Sequence, residues 1–405
     1  MIDLPGSSKM SEATRLVRAG RLGEATALLQ ALLRGQSQPD ATGERERSNA
    51  NAWAASAQKA FARLSRLRMP GRKPIVAPLQ TPELLPPLQI PELLEVKPPL
   101  HGLLKPAPAI QNIVPERGRF IEATYSNHAG ARAYKLYIPS GYRGQELPLV
   151  VMLHGCTQSP DDFAAGTRMN FVAEEQTCFV AYPAQSSQAN VAKCWNWFRP
   201  GDQRRGQGEP SLIAGITQQI MRTYSVDSRR VYIAGLSAGG AAAAVMGATY
   251  PDMYAAVGVH SGLACGVATD VASAFAAMRE ANGSASSADR WGVSEQAAAV
   301  PTIVFHGDQD KTVHPQNGDL VIAVQRRPKL GEKVVRGEIP GGHAYTRTIH
   351  SDASGHAMLE HWEIHGAAHA WSGGSLAGTY TDPRGPDAAK EMMRFFLEHR
   401  SSRDS

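Results

Sequence analysis

Long apolar runs are missing from this chain. Nowhere do its 405 residues approach the roughly 20 consecutive apolar positions that a membrane-crossing helix needs, so no integral membrane segment is expected. Cysteine is scarce: four in the whole chain, with no CxxC and no Cys/His spacing of the zinc-binding kind. That excludes a disulfide-dense mini-scaffold and gives no support for a bound metal. No GxxxxGK[ST] and no GxGxxG occurs, so nucleotide cofactors have no motif here and no cofactor is expected. Unbalanced charge is also missing from most of the chain. Residues 1–115 hold 15 Lys/Arg against 9 Asp/Glu, whereas the remainder holds 27 against 28. The net +5 therefore belongs to the N-terminal part, and no nucleic-acid partner is expected. The N-terminus shows no charged stretch followed by an apolar core and a small-residue cleavage site. A cytoplasmic location is the expectation from that feature.

What is present falls into three parts. Residues 1–69 read as a helical extension, with helical spacing of leucines over 11–34 and a further helix over 51–69. The latter carries Lys59, Arg63, Arg66 and Arg68, a solvated face or an arm for an acidic or polymer surface. Residues 70–116 form a Pro-rich linker or wrap, since 12 of the 27 prolines fall between Pro70 and Pro115. Residues 117–400 read as the large folded domain. Here 120–125 and 133–138 alternate like antiparallel strands, and 149–153 is a continuous apolar run typical of a strand buried on both faces. Helices to about 175, at 211–224, 237–250 and 386–399 are interleaved with strands at 178–181, 230–234, 255–259, 302–305 and 358–364. The alternation predicts an α/β fold, a mainly parallel sheet with helices on both faces.

Gly235-Leu236-Ser237-Ala238-Gly239 follows one predicted strand and opens a helix. A serine on so sharp a turn needs small neighbours, and the helix N-terminus favours negative charge beside it. Ser237 is the candidate nucleophile. It needs a histidine as base and an acid to orient that histidine, in the order Ser, acid, His for this turn type. After the strand 302–305 come Asp308 and Asp310; Asp310, deeper in the loop, is preferred as the acid, and Asp308 as a turn cap. His361, His365 and His369 follow. Alternation places His361 and His365 on a strand, too far apart there to share one ion, and His369 in the loop after it, where a base belongs. The loop His154-Gly155-Cys156 follows a buried strand, so the N–H groups of Cys156 and Ala238 are the expected oxyanion donors.

Taken together, Leu153-His-Gly-Cys-Thr-Gln158, Ala181-Tyr-Pro-Ala184, Lys193-Cys-Trp-Asn-Trp-Phe198, Gly235-Leu-Ser-Ala-Gly239 and His369-Ala-Trp-Ser-Gly-Gly374 resemble the poly(3-hydroxybutyrate) depolymerase family of esterases. The resemblance covers about 117–400. It implies the α/β-hydrolase fold shared with feruloyl and acetylxylan esterases. It also implies Ser237, Asp310 and His369 as the triad, and a short-chain hydroxyalkanoate ester, polymeric or not, as substrate. Secreted members make an extracellular location the alternative to the cytoplasm. Carbohydrate-ester cleavage is a second functional reading, and a non-catalytic protein that binds polymer granules a third. Cys156 and Cys194 lie in two loops near the expected site, either as a disulfide or as two free thiols. Trp195, Trp197 and Trp371 flank the motifs, as an apolar substrate wall or as core residues.

Overall fold

The computed structural model describes residues 109, 112–280 and 300–401, which all belong to the unit Pro98–Ser405. The helices expected over 11–34 and 51–69, and nearly all of the Pro-rich run, lie outside the described residues.

The architecture follows from strands whose two faces are both apolar. β1 (Arg119–Asn127) and β2 (Gly130–Ile138) form a hairpin, followed by β3 (Leu147–Leu153), α1 (Pro160–Thr167), α2 (Met169–Gln176) and β4 (Phe179–Pro183). Then come α3 (Gly208–Thr223), β5 (Val226–Leu236), α4 (Ala238–Thr249), β6 (Ala256–His260), α5 (Val271–Glu280), β7 (Thr302–Gly307) and α6 (Gln316–Gln325). β8 (Gly331–Glu338), β9 (Ala344–Ser351) and β10 (Ala357–Ile364) precede a two-residue pair, β11 (Trp371–Ser372) and β12 (Thr381–Asp382), and α7 (Ala388–Leu397) closes the order. One sheet of ten strands runs β1-β2-β4-β3-β5-β6-β7-β10-β9-β8. Its centre, β4 through β10, is parallel, and both edges are antiparallel.

All seven residues of β3 are buried. Alternate side chains go to opposite faces: Leu149, Val151, Val231 and Ile233 join the core beneath α3 and α4, while Val150, Met152, Tyr232 and Ala234 join the core beneath α7. The alanine run of α4 is almost wholly buried, so the helix lies close on β5 and β6. On the opposite face Phe396 of α7 stacks on Tyr232 with centroids 5.0 Å apart.

Four features were not legible in sequence. α5, α6 and the antiparallel arm β8–β9 are additional elements. The arm is tied down by Glu360 of β10, which is fully buried and pairs with Arg347 of β9 (2.7 Å) and Arg394 of α7 (2.7 Å). The folded unit also begins earlier than residue 117: Ile113 is 3% exposed within the core, and its carbonyl accepts from Asn170 Nδ2 at 2.8 Å.

Candidate active site

β5 ends at Leu236 and α4 starts at Ala238, so Ser237 sits alone on the turn between them, with φ 57° and ψ −120°. A side chain in that region of φ is uncommon and costly, and such residues cluster at working sites. The turn closes only with small neighbours. A Cβ on Gly235 would lie 2.3 Å from the Gly239 carbonyl oxygen, and one on Gly239 would lie 2.0 Å from that of Leu153. Ser237 N–H donates to the His260 carbonyl at 2.9 Å, which anchors the turn to the end of β6.

The late histidines go to three different carboxylates. His369 Nδ1 is 2.6 Å from Asp310 Oδ2, His365 Nδ1 is 3.1 Å from Asp308 Oδ2, and His361 Nδ1 is 3.4 Å from Asp319 Oδ1. Asp310 is the most enclosed of these acids. Its Oδ1 accepts from the backbone N–H groups of Thr312 (2.8 Å) and Val313 (2.9 Å), and His306 Nε2 lies 3.4 Å from its Oδ2. Burial alone would raise its pKa, but the bonds from His306, His369 and Val313 outweigh burial and hold it well below the usual carboxylate range. An anionic Asp310 fixes the proton of His369 on Nδ1 and leaves Nε2 as acceptor. The two loops meet directly, since Gln309 N–H donates to the Ala367 carbonyl at 3.0 Å.

The loop after β3 packs over the Ser237 turn. Leu153 pairs in register with Gly235, and a Cβ on Gly155 would stand 3.6 Å from that of Ser237. Gly155 N–H donates to Gln158 Oε1 (2.9 Å), and Thr157 N–H to the Ala192 carbonyl (2.7 Å). Among the described residues the Cys156 and Ala238 N–H groups have no such intramolecular acceptor. Cys156 is joined to Cys194 by a disulfide.

Beneath this loop His154 is buried and held in one neutral form. Its Nδ1–H donates to the Gly155 carbonyl at 2.8 Å and its Nε2 accepts from Gln185 N–H at 3.0 Å. Burial pushes its pKa down to about 4, against the opposing effect of the Gly155 carbonyl. The loop bearing Cys194 is fastened by buried Glu209, which accepts from Asn196 N–H and Asn196 Nδ2 (both 2.7 Å) and from Gln185, and lies 3.4 Å from Arg132.

The tryptophans do not form an exposed wall. Trp195, Trp197 and Trp371 are 0%, 7% and 1% exposed, and the Trp195 indole N–H donates to the His154 carbonyl at 3.1 Å. These side chains brace the loops from inside the core. Sequence reasoning also passed over His306, Gln158, Glu209 and His260, whose Nε2 accepts from Ser372 N–H at 2.9 Å. Gln158 closes the motif that begins at Leu153, and His306 directly follows the strand at 302–305, which was the available signal. Among the described residues no cluster of three or more His, Cys, Asp or Glu is placed to hold a metal ion, and no helix is long and apolar enough to cross a membrane.

Residues 132–329 match the family model described as Esterase PHB depolymerase. Poly(3-hydroxyalkanoate) depolymerase C of Paucimonas lemoignei is 33% identical over 259 residues, 61% of this chain and 58% of that protein. Poly(3-hydroxybutyrate) depolymerase of Ralstonia pickettii is 27% identical over 251 residues, 58% of this chain and 50% of that protein. The chain thus spans between half and three-fifths of the length of these two relatives. Among solved structures, an acetyl xylan esterase from Aspergillus awamori superposes with a TM-score of 0.54 at 19% identity, covering 69% of this chain and 99% of that one, a likeness of the α/β-hydrolase fold. Feruloyl esterase B of Thermothelomyces thermophilus is 32% identical over 220 residues, 51% of this chain and 74% of that protein. That extent of shared sequence, over a domain with a strand-turn-helix at Ser237, shows that the chain belongs to the PHB depolymerase family of esterases.

Proposed function

We propose that the protein is a serine ester hydrolase working through an acyl-enzyme, with Ser237 as nucleophile, His369 as base and Asp310 as the acid that orients it. The 2.6 Å bond between Asp310 Oδ2 and His369 Nδ1, from adjoining loops, is the observation that carries this reading. Ser237 Oγ attacks the ester carbonyl carbon and its proton passes to His369 Nε2. The carbonyl π pair moves to oxygen, which takes the N–H groups of Cys156 and Ala238 as donors. The tetrahedral species then collapses. The C–O bond to the alcohol breaks, His369 protonates the departing oxygen, and the acyl group stays on Ser237. Water, deprotonated by His369, attacks the acyl carbon; the Ser237–acyl bond breaks to release the acid, and His369 returns the proton to Ser237 Oγ.

The substrate proposed is a poly- or oligo(3-hydroxybutyrate)-type short-chain hydroxyalkanoate ester, in line with the depolymerase relatives. A second reading, cleavage of feruloyl or acetyl groups from carbohydrate, is favoured by the larger share of feruloyl esterase B that the chain spans. The Cys156–Cys194 pairing is of the kind that persists in oxidising compartments, which favours an extracytoplasmic location over the cytoplasmic one expected from the N-terminal sequence.

Two measurements test these proposals. A fluorophosphonate probe should label Ser237, and Ser237→Ala should lose labelling and turnover by ~10⁴-fold or more. A folded wild-type protein that neither reacts with the probe nor cleaves any ester would instead support the granule-binding scaffold. Rates on hydroxybutyrate oligomers against methyl ferulate and acetylated xylan decide between the two ester classes.

A further inference from the structure

Tyr380 occupies a position that its own packing does not explain. Its φ is 52°, in the left-handed region that bulky side chains avoid, yet the residue is 42% exposed and so gains little burial in return. A strained residue without a packing reason points to work done at that place.

The surroundings say which work. Tyr380 lies between the two loops that carry the chemistry. Its carbonyl accepts from Trp371 N–H at 2.7 Å, two residues beyond His369. Its hydroxyl is 3.4 Å from Thr157 Oγ1, and Thr157, also at positive φ (68°), adjoins Cys156. The preceding residue is fixed on both sides. Thr379 N–H donates to Asp162 Oδ1 (2.9 Å) and its hydroxyl to Asp162 Oδ2. Gln158, whose Oε1 holds Gly155 N–H, donates through Nε2 to the Thr379 carbonyl at 3.1 Å. The backbone that presents the ring is thus tied into the network that shapes the oxyanion loop.

On the serine-esterase reading above, we propose that Tyr380 is a specificity-determining residue whose half-exposed ring packs against the chain of an extended ester where it continues beyond the scissile bond. An aromatic face beside the oxyanion loop suits apolar chain atoms, and a lone acetyl group is too short to use it fully.

The backbone strain supplies a clean variant. Tyr380→Gly removes the ring at a position where glycine adopts the observed φ without cost, so the fold is retained; Tyr380→Asn, which also tolerates that conformation, serves as a second ring deletion. The ratio of kcat/KM for a 3-hydroxybutyrate trimer to that for p-nitrophenyl acetate is expected to fall about ten-fold in both, chiefly through KM for the trimer. Tyr380→Phe, which keeps the ring, should restore the ratio to within about two-fold of wild type. An unchanged ratio in the ring deletions, parallel losses on both esters, or a wild-type protein that cleaves acetate but not the trimer would each overturn the proposal. Absence of both turnover and fluorophosphonate labelling in the wild type would overturn the underlying esterase reading instead.

Discussion

Cys156 and Cys194 are covalently joined across 38 residues of sequence, and the same Cys156 carries one of the two backbone N–H groups proposed as oxyanion donors. The bond ties the loop over the Ser237 turn to the segment that Glu209 fastens through Asn196. Cys194→Ser should therefore act on the reaction as well as on the fold. We expect kcat to fall about ten-fold, short of the ~10²–10³ seen when an oxyanion donor is lost outright. Stability should drop by about 2–4 kcal/mol. Paired measurement of kcat and the denaturation midpoint checks this; a variant with lowered stability and wild-type kcat would show that the link does not position the donor.

Asp310 and Asp308 are two residues apart and hold different histidines. Asp310→Asn places an amide against His369 Nδ1, favours the wrong tautomer, and should lower kcat by ~10⁴. Asp308 accepts from Gly366 N–H at 2.8 Å and contacts His365, so it steadies the start of the loop that leads to His369. Asn at 308 keeps an acceptor for Gly366, and a loss of no more than about ten-fold is expected, since one neutral acceptor replaces a charged one. Single-turnover rates for the two variants in parallel give the ranking, and the reverse order would transfer the acid role to Asp308.

The parts of this fold that read directly from sequence are those where burial and pattern coincide. β3 and the second half of β5, residues 231–236, are buried on both faces, so apolar runs mark them, and the Ser237 turn announces itself through glycines that nothing larger could replace. β8 and β9 were missed for the opposite reason. Glu332, Lys333, Arg336 and Glu338 cover a mostly exposed strand, and the burial there is carried by an ion cluster on Glu360 that no hydropathy pattern signals. The cysteine pairing stayed open because it depends on the distance between two loops. The choice between wall and core for the tryptophans stayed open because residue type does not tell which way an indole faces. The separation of Asp310 from Asp308 rests on a loop that closes around the Thr312 and Val313 N–H groups.

Ile113 gives a test of where the folded unit begins. It belongs to the buried cluster beneath α7 that also holds Tyr137, Val150 and Phe163, on the side of the sheet away from α4. Ile113→Ala should cost about 2–5 kcal/mol, the range for a large-to-small change in a packed interior. Its effect on kcat at a temperature well below the transition should be negligible. A stability change under about 0.5 kcal/mol, as expected of a surface position, would place the start of the core at β1.

Acid stability follows from histidines that the fold keeps neutral. Burial pushes His154 and His361 down to about 4, His361 with further lowering from His306 and His350 nearby. Burial, with His306 and His369 beside it, holds His260 well below its ordinary value. An unfolded histidine titrates near ~6.5, so between about pH 6.5 and 4 the unfolded chain binds more protons than the native one. Stability is therefore full above about pH 6.5 and declines as pH falls toward 4. Buried Glu209, raised chiefly by burial, works in the opposite sense, because its protonation in acid relieves a buried charge. A single-site comparison separates the two. His154→Gln keeps polar atoms for Gln185 N–H and the Gly155 carbonyl but takes up no proton. Whatever the substitution costs at pH 7, its stability should fall less steeply than the wild type's between pH 6 and 5, by about 1 kcal/mol per pH unit. Denaturant unfolding at pH 7, 6 and 5 measures the slopes, and parallel curves for the two proteins would mean that His154 is not a neutral, buried imidazole in the native state.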